Sequence, residues 1–497
     1  MTARSSIPWW RRCRWFALGA ALPVLWACNA RRLEAPMGRP VRNTNYVFQE
    51  TLNQDIDILF MVDNSLSMQP LISKLTQNFP AFMQVLEQSP QGLPNVHIAV
   101  VSSDMGAGQW TGIPQCAVGG DGGSFQDQIG AGTTETGGMV CTNSGLNMGQ
   151  HFISNVNGVA NYDTTLGIEH VFGCIASLGD HGCGFEHQLQ SVVRALNADG
   201  QGLPANNADF LRPQAYLAIV FLTNEDDCSA PPDTDLFDTN SKSVNDPFGP
   251  LQSYRCNEFG HLCNGAPPPR TMAADFQPGE CVSAEGMGRL IPVDDIVAEI
   301  KGLKSDPSQI LVAAIAGPAD PYSVIMVDAQ AQTSDAAAGI KWPNVAHSCT
   351  MGTDVYADPG VRLQRFVNGF GSNGLFLPIC APTLVPALQT IASTINKVLG
   401  AKCVVGQLLD ANGQPTDGPG ADCSVIDHQF DQSGNTVDTL IPPCDNNPGG
   451  GKCWSLVNDA QCTANNGVPS HLLQFTPPPD PTVSGLNASI SCSIGLQ

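Results

Sequence analysis

Ile56-Asp57-Ile58-Leu59-Phe60-Met61-Val62, followed at once by Asp63-Asn64-Ser65-Leu66-Ser67, is the stretch on which the fold turns. A short apolar run predicts a strand buried on both faces. The carboxylate and the two alternate hydroxyls after it predict oxygen ligands delivered into a loop. Hard divalent cations take such ligands, keep several waters and are usually held by one or two carboxylates. Asp63 supplies charge in this reading, and Ser65 and Ser67 supply neutral oxygens. The competing reading is an Asx or Ser turn whose hydroxyls cap the next helix.

Outward from that stretch, Leu71, Ile72, Leu75, Phe79, Phe82, Met83 and Leu86 recur at helical spacing, predicting an amphipathic helix over 68–87. Pro80 predicts a kink or interruption within it. Further strand-like runs lie at 97–102, 216–222, 310–315 and 374–379, the first three nearly continuous in aliphatic residues, with helical patterns at 164–178, 186–197, 293–304, 359–369 and 382–399. Strands alternating with helices predict a doubly wound, mostly parallel α/β sheet over 53–400. Ligands of such sheets bind beyond the carboxyl ends of the strands, where Asp63 falls.

Two stretches break the alternation: 104–161, rich in Gly, Asp and Asn, and 228–290, rich in Pro, Asp and Cys. Both read as insertions at the binding edge, either capping the site or decorating it. From 401 to 497, short apolar runs, turn signals and six cysteines predict a small disulfide-stapled β module.

Residues 1–27 read as a targeting segment, basic at Arg4, Arg11, Arg12 and Arg14 and apolar from Phe16 to Ala27. Its end, Leu25-Trp26-Ala27-Cys28, resembles a bacterial lipobox, which makes Cys28 the lipid-carrying first residue and 28–52 a tether. Of 18 cysteines, Cys13 and Cys28 belong to this region, and an even 16 remain. In an exported chain that number reads as a disulfide framework. Cys174 with Cys183, and Cys349 with Cys380, are the favoured pairs. Net charge is −22, and losing the four signal arginines and no acid takes it to −26. Such a balance argues against nucleic acid and anionic lipid surfaces, leaving membrane attachment to the lipid.

The Asp63-x-Ser65-x-Ser67 arrangement resembles the metal-ion-dependent adhesion site of von Willebrand factor A-type domains. The resemblance covers 53–400 in element order and, with Asp104-Met105-Gly106, Cys183-Gly184-Phe185-Glu186 and Asp226-Asp227-Cys228-Ser229, extends to exported A-domain lipoproteins of Gram-negative bacteria. It implies a divalent ion (Mg²⁺ or Mn²⁺, with Ca²⁺ as a third choice) whose open position takes a carboxylate from a protein or glycan partner. The family threonine position falls on Cys183 and the family aspartate on Asn224, with Glu225 and Asp226 as alternative ligands and Glu186 a substitute if its loop turns differently. The implied location is the cell envelope, at the outer membrane or surface.

No nucleophile elbow, zinc-protease helix or phosphate-binding loop is present in the sequence, so the expectation is a binding protein and not an enzyme. His151, His170, His181 and His187 cluster in sequence, but solvent-facing or helix-capping roles suit His170 and His187 better than catalysis. Asp410-x-Asn412-Gly413 and Asp431-x-Ser433-Gly434 lack the terminal glutamate of a calcium loop and read as hairpin turns. The alternative function is a metal-free structural envelope protein that binds through its loops or C-terminal module, with a hydrolase further behind.

Overall fold

A computed structural model describes residues 41–49, 54–89, 92–130, 135–136, 139–141, 143–286, 289–399, 403–430, 436–447, 450–458, 462, 469–476 and 487–495. The targeting segment, Cys28 and the Asp431-x-Ser433-Gly434 turn lie outside them.

In chain order the framework comprises β1 (Val41–Gln49), β2 (Asp55–Val62), α1 (Gln69–Glu87), β3 (Asn95–Ser102), β4 (Ile153–Val156) and β5 (Val159–Ala160). There follow α2 (Ile168–Ile175), α3 (Gln188–Ala195), β6 (Tyr216–Leu222), α4 (Val293–Lys301), β7 (Ile310–Ala316), α5 (Val361–Asn368), β8 (Gly374–Pro378) and α6 (Val385–Leu399). Seven strands form one sheet in the order β8-β7-β6-β2-β3-β4-β5. The first four pairings are parallel and the last two antiparallel.

Alternation along β2 divides the core. Ile56, Ile58, Phe60 and Val62 face α1, α2 and α6, while Leu59 and Met61 face α3, α4 and α5. Both faces are therefore covered, which is why the strands read as continuous apolar runs. Helix α1 runs unbroken with Pro80 inside it, so the expected interruption does not occur. Proline removes one backbone bond there, and the buried face from Leu71 to Leu86 outweighs that loss. Asp57, inside β2, is fully buried and held by Arg212, whose Nε and backbone N reach its carboxylate at 2.8 and 2.7 Å.

The two insertions are not separate decorations. Ala107 and Cys116 of the first share one apolar cluster with Cys228, Leu236 and Phe237 of the second, around Phe185. Trp110 Nε1 also donates to the Thr234 carbonyl at 2.8 Å.

All sixteen cysteines after Cys28 are paired. Cys349 joins Cys380 as expected. The expected Cys174–Cys183 bond is replaced by Cys116–Cys183 and Cys141–Cys174. The first insertion supplies a partner to each: it folds back over both α2 and the loop before α3, and short sequence separation misjudged that. Eight disulfides mark a chain that matures in an oxidising compartment. Among the described residues no helix is long and apolar enough to cross a membrane.

The C-terminal module is β as expected, with β9 (Cys403–Val405), β10 (Cys423–Phe430), β11 (Thr436–Ile441), β12 (Cys453–Val457), β13 (Ser470–Thr476) and β14 (Asn487–Gly495). Its two sheets run β1-β14-β10-β11 and β9-β13-β12. Residues 41–49 are thus not tether. They form β1, antiparallel to β14 from Val41 opposite Gly495 to Gln49 opposite Asn487. The β-favouring run Tyr46-Val47-Phe48 was the available signal.

Candidate metal-binding site

Three parallel strands end side by side, and Asp63 gathers all three. Its backbone N donates to the Leu222 carbonyl at 3.0 Å, continuing the β2–β6 pairing by one residue. Its Oδ1 accepts from Ser65 N at 2.8 Å and from Ser103 Oγ, just past β3, at 3.2 Å. Its Oδ2 accepts from Thr223 Oγ1, just past β6, at 2.7 Å. The carboxylate is fully buried. Burial pushes its pKa above the ordinary range, and the hydrogen bonds from Thr223, Ser65 and Ser103 pull it back.

The hydroxyls of the motif differ in fate. Ser65 is 4% exposed, and its buried Oγ lies beside the Asp63 carboxylate without a partner in good hydrogen-bond geometry. Ser67 is tied to Asn224, whose Nδ2 donates to Ser67 Oγ at 2.9 Å and whose Oδ1 lies 3.2 Å from it. Asn224 Nδ2 also reaches the Tyr356 carbonyl at 3.2 Å. Between the two serines, Leu66 is 71% exposed at the tip of the loop.

Glu186, expected only as a substitute ligand, is brought in by the loop before α3. Cys183 is bound to Cys116, and three residues later the loop brings Glu186, 1% exposed, to the Asp63 side. The loop fits closely. Gly182 N donates to the Asn64 carbonyl at 2.8 Å, and a Cβ on Gly182 would stand 2.2 Å from Asn64 Oδ1. Glu186 and Glu225 are neighbouring buried carboxyls whose protonated forms are favoured. Burial, then the charge of Glu225 and of Asp63, raises the Glu186 pKa well above normal. Glu225 is pushed up to about 8 by burial, then by Asp358 and Asp63. Glu186 Oε1 and Gln188 Oε1 are buried without partners.

Glu225, Asp226 and Asp227 are adjacent, yet only the first faces this site. Asp226 is corrected as a ligand: its carboxylate accepts from His261 Nε2 at 2.8 Å and from Arg362 N and Leu363 N at 2.8 and 3.1 Å, capping α5. Asp227 accepts from Leu189 N at 2.9 Å, capping α3, and pairs with Arg362 at 3.0 Å. Asp104 turns back to accept from Gly106 N at 2.8 Å, as a turn-forming aspartate does.

The histidines do not converge. His151 pairs with Asp127, His181 with Asp180, and His187 packs buried against Phe237. Among the described residues, the one group of three His, Cys or acid ligand atoms mutually within 4.8 Å is Cys141, His170 and Cys174. Its sulfurs form a disulfide and are not thiolate ligands. At Asp63, by contrast, a cation would have one nearby carboxylate and hydroxyls, with the glutamates farther out. That is a donor set for a hard, partly hydrated divalent ion. The orphaned Ser65 Oγ and Glu186 Oε1 fit such an ion, because buried polar atoms normally have partners.

No family model matches the chain, and no curated protein matches it significantly. Among solved structures it is similar to the pilus adhesin RrgA from Streptococcus pneumoniae, with 10% identity and a TM-score of 0.29 over 92% of this chain and 58% of that one. It is similar to the adhesive tip pilin GBS104 from Group B Streptococcus agalactiae, with 9% identity and a TM-score of 0.27 over 92% and 82%. Human COPII-coat protein Sec24c gives 9% and 0.28 over 91% and 46%. The chain spans less than two thirds of the first of these. TM-scores this low define no common fold.

Proposed function

We propose that this chain is a cell-envelope lipoprotein, anchored through Cys28, whose α/β domain is of the von Willebrand factor A type. In this reading it binds a protein or glycan partner through a divalent cation and performs no catalysis. The observation that carries the reading is the buried Asp63 carboxylate beside two orphaned oxygens, Ser65 Oγ and Glu186 Oε1, at the carboxyl end of the sheet. Asp63 and Ser65 would hold the ion, with Ser67 joining once released from Asn224, and Glu186 and Glu225 would balance its charge once ionised. The bound ion supplies an electrophilic open position for an oxygen of the partner. Hydrogen bonds from Ser103 and Thr223 fix the Asp63 carboxylate, and exposed Leu66 offers an apolar contact beside it.

One observation favours a second reading. Ser67 and Asn224 satisfy one another, and Glu186 and Glu225 favour protonation, without any ion, as in a metal-free structural protein. Thermal unfolding of the oxidised chain with MgCl₂, MnCl₂ or CaCl₂, against EDTA, separates the two. Ligand at 100 times its dissociation constant stabilises the folded state by about 2.7 kcal/mol. A cation-specific, EDTA-reversible rise in Tm supports the metal reading. An unchanged Tm with all three salts supports the metal-free one.

A further inference from the structure

A cavity of about 460 Å³ lies where the two insertions meet the 330s and the loop that carries Glu186. Phe185 and Leu251 give it apolar walls, together with Ile113 and the edge of Trp342. Around these stand Gln115, Gln330, Ser253 and Lys242. Gln115, Gln330 and Lys242 are exposed and Ser253 is half-buried; among the described residues none of these four side chains is engaged in a protein hydrogen bond or ion pair, and no carboxylate lines the cavity. That absence is unusual in a chain of net charge −22.

We propose that this cavity is a subsite for an acidic sugar, a mono- or disaccharide unit bearing a carboxylate. Its volume falls in the range of small-molecule sites, which combine apolar walls with a few placed polar groups. A sugar ring has the complementary character: C–H faces for half-buried Leu251 and Ile113, and hydroxyls for the two amides and Ser253, which donate and accept. Lys242 selects the carboxylate: the nearby Asp246 is engaged by the backbone N–H groups of Lys242 and Ser243, both at 2.7 Å, and no acid of the lining competes for the ammonium. The cavity is built from residues outside the cation site, so the proposal stands whether or not a cation binds.

Gly184 provides the control. It lines the cavity, its backbone is in an ordinary conformation, and a Cβ there meets nothing within 4 Å. Gly184→Trp therefore adds a bulky ring at the rim of the cavity without straining the backbone. The experiment is ligand-observed NMR titration of the oxidised chain, Lys242→Gln and Gly184→Trp with glucuronate, glucose, glucosamine and trialanine. The expected result is saturable glucuronate binding at least fivefold tighter than glucose or glucosamine, with the preference lost in Lys242→Gln and all sugar binding lost in Gly184→Trp. No saturable sugar binding, equal affinity for glucuronate and glucose, unaltered binding in Gly184→Trp, or binding of trialanine alone would each overturn it.

Discussion

Thr223 Oγ1 donates to Asp63 Oδ2 at 2.7 Å, and the same hydroxyl accepts from Gln188 Nε2 at 3.1 Å. One side chain thus locks the ends of β2 and β6 to the start of α3 and sets the orientation of the Asp63 carboxylate. Thr223→Val keeps the shape and removes the donor. A hydrogen bond to a charged group contributes about 1.5–3 kcal/mol, and that loss is expected in urea unfolding. Cation affinity is expected to fall about 10–100-fold, as when groups that orient a metal ligand are removed. Unchanged stability would show that Asp63 is oriented by other contacts.

Arg212 closes the opposite end of β2 by holding buried Asp57. Removing one partner of a buried ion pair leaves an uncompensated charge and costs about 3–5 kcal/mol. Arg212→Ala is expected to lose that much in urea unfolding. Asp57→Asn added to it is expected to cost less than the sum of the single changes, and strict additivity would contradict the pairing.

Acid–base linkage gives a signed prediction for the metal-free protein. Glu225 is raised from 4.5 to about 8 and Asp57 from 3.8 to about 6. Stability from such raised groups is full below the unfolded value and is lost as pH rises through the folded one. His97 and His187 are lowered from 6.5 to about 4, so their contribution is present above 6.5 and is lost as pH falls toward 4. Lys304, lowered from 10.5 to about 8, loses its contribution as pH falls through 8 and opposes Glu225 there. In EDTA, the Tm advantage of the unaltered chain over Glu225→Gln is therefore expected to grow as pH falls from 8.5 to 6.5. An advantage that does not grow would contradict the buried, protonated Glu186–Glu225 pair.

Disulfide mapping by mass spectrometry of unreduced digests is expected to recover Cys116–Cys183 and Cys141–Cys174. A peptide joining Cys174 to Cys183 would contradict the described path of the first insertion. Replacing Cys116 and Cys183 by serine is expected to cost about 2–4 kcal/mol. It should also weaken cation binding, because Glu186 lies three residues beyond Cys183.

The central sheet was legible because each core strand is buried on both faces, so burial itself writes a continuous apolar run, as in Tyr216–Leu222. Asp63, Ser65 and Ser67 were legible for the same reason: they follow such a run directly. Strand β1 was not, since its partner β14 lies more than 400 residues away and its own alternation is weak. The roles of Glu225, Asp226 and Asp227 were beyond sequence reasoning. Three adjacent acids point to the Glu186 carboxyl, to the α5 N-terminus and to the α3 N-terminus, and only the three-dimensional turn separates them. Glu186 was signalled only by its place before α3.

Calorimetric titration of Mg²⁺, Mn²⁺ and Ca²⁺ into the oxidised chain, alongside Asp63→Ala and Glu186→Gln, decides whether the end of β2 holds an ion. Saturable binding of at least one cation is expected, lost in Asp63→Ala and weakened in Glu186→Gln. Proton release on binding is also expected, as the Glu186–Glu225 carboxyls ionise beside the ion. No heat of binding in the unaltered chain, or equal binding in Asp63→Ala, would contradict a cation site at the end of β2.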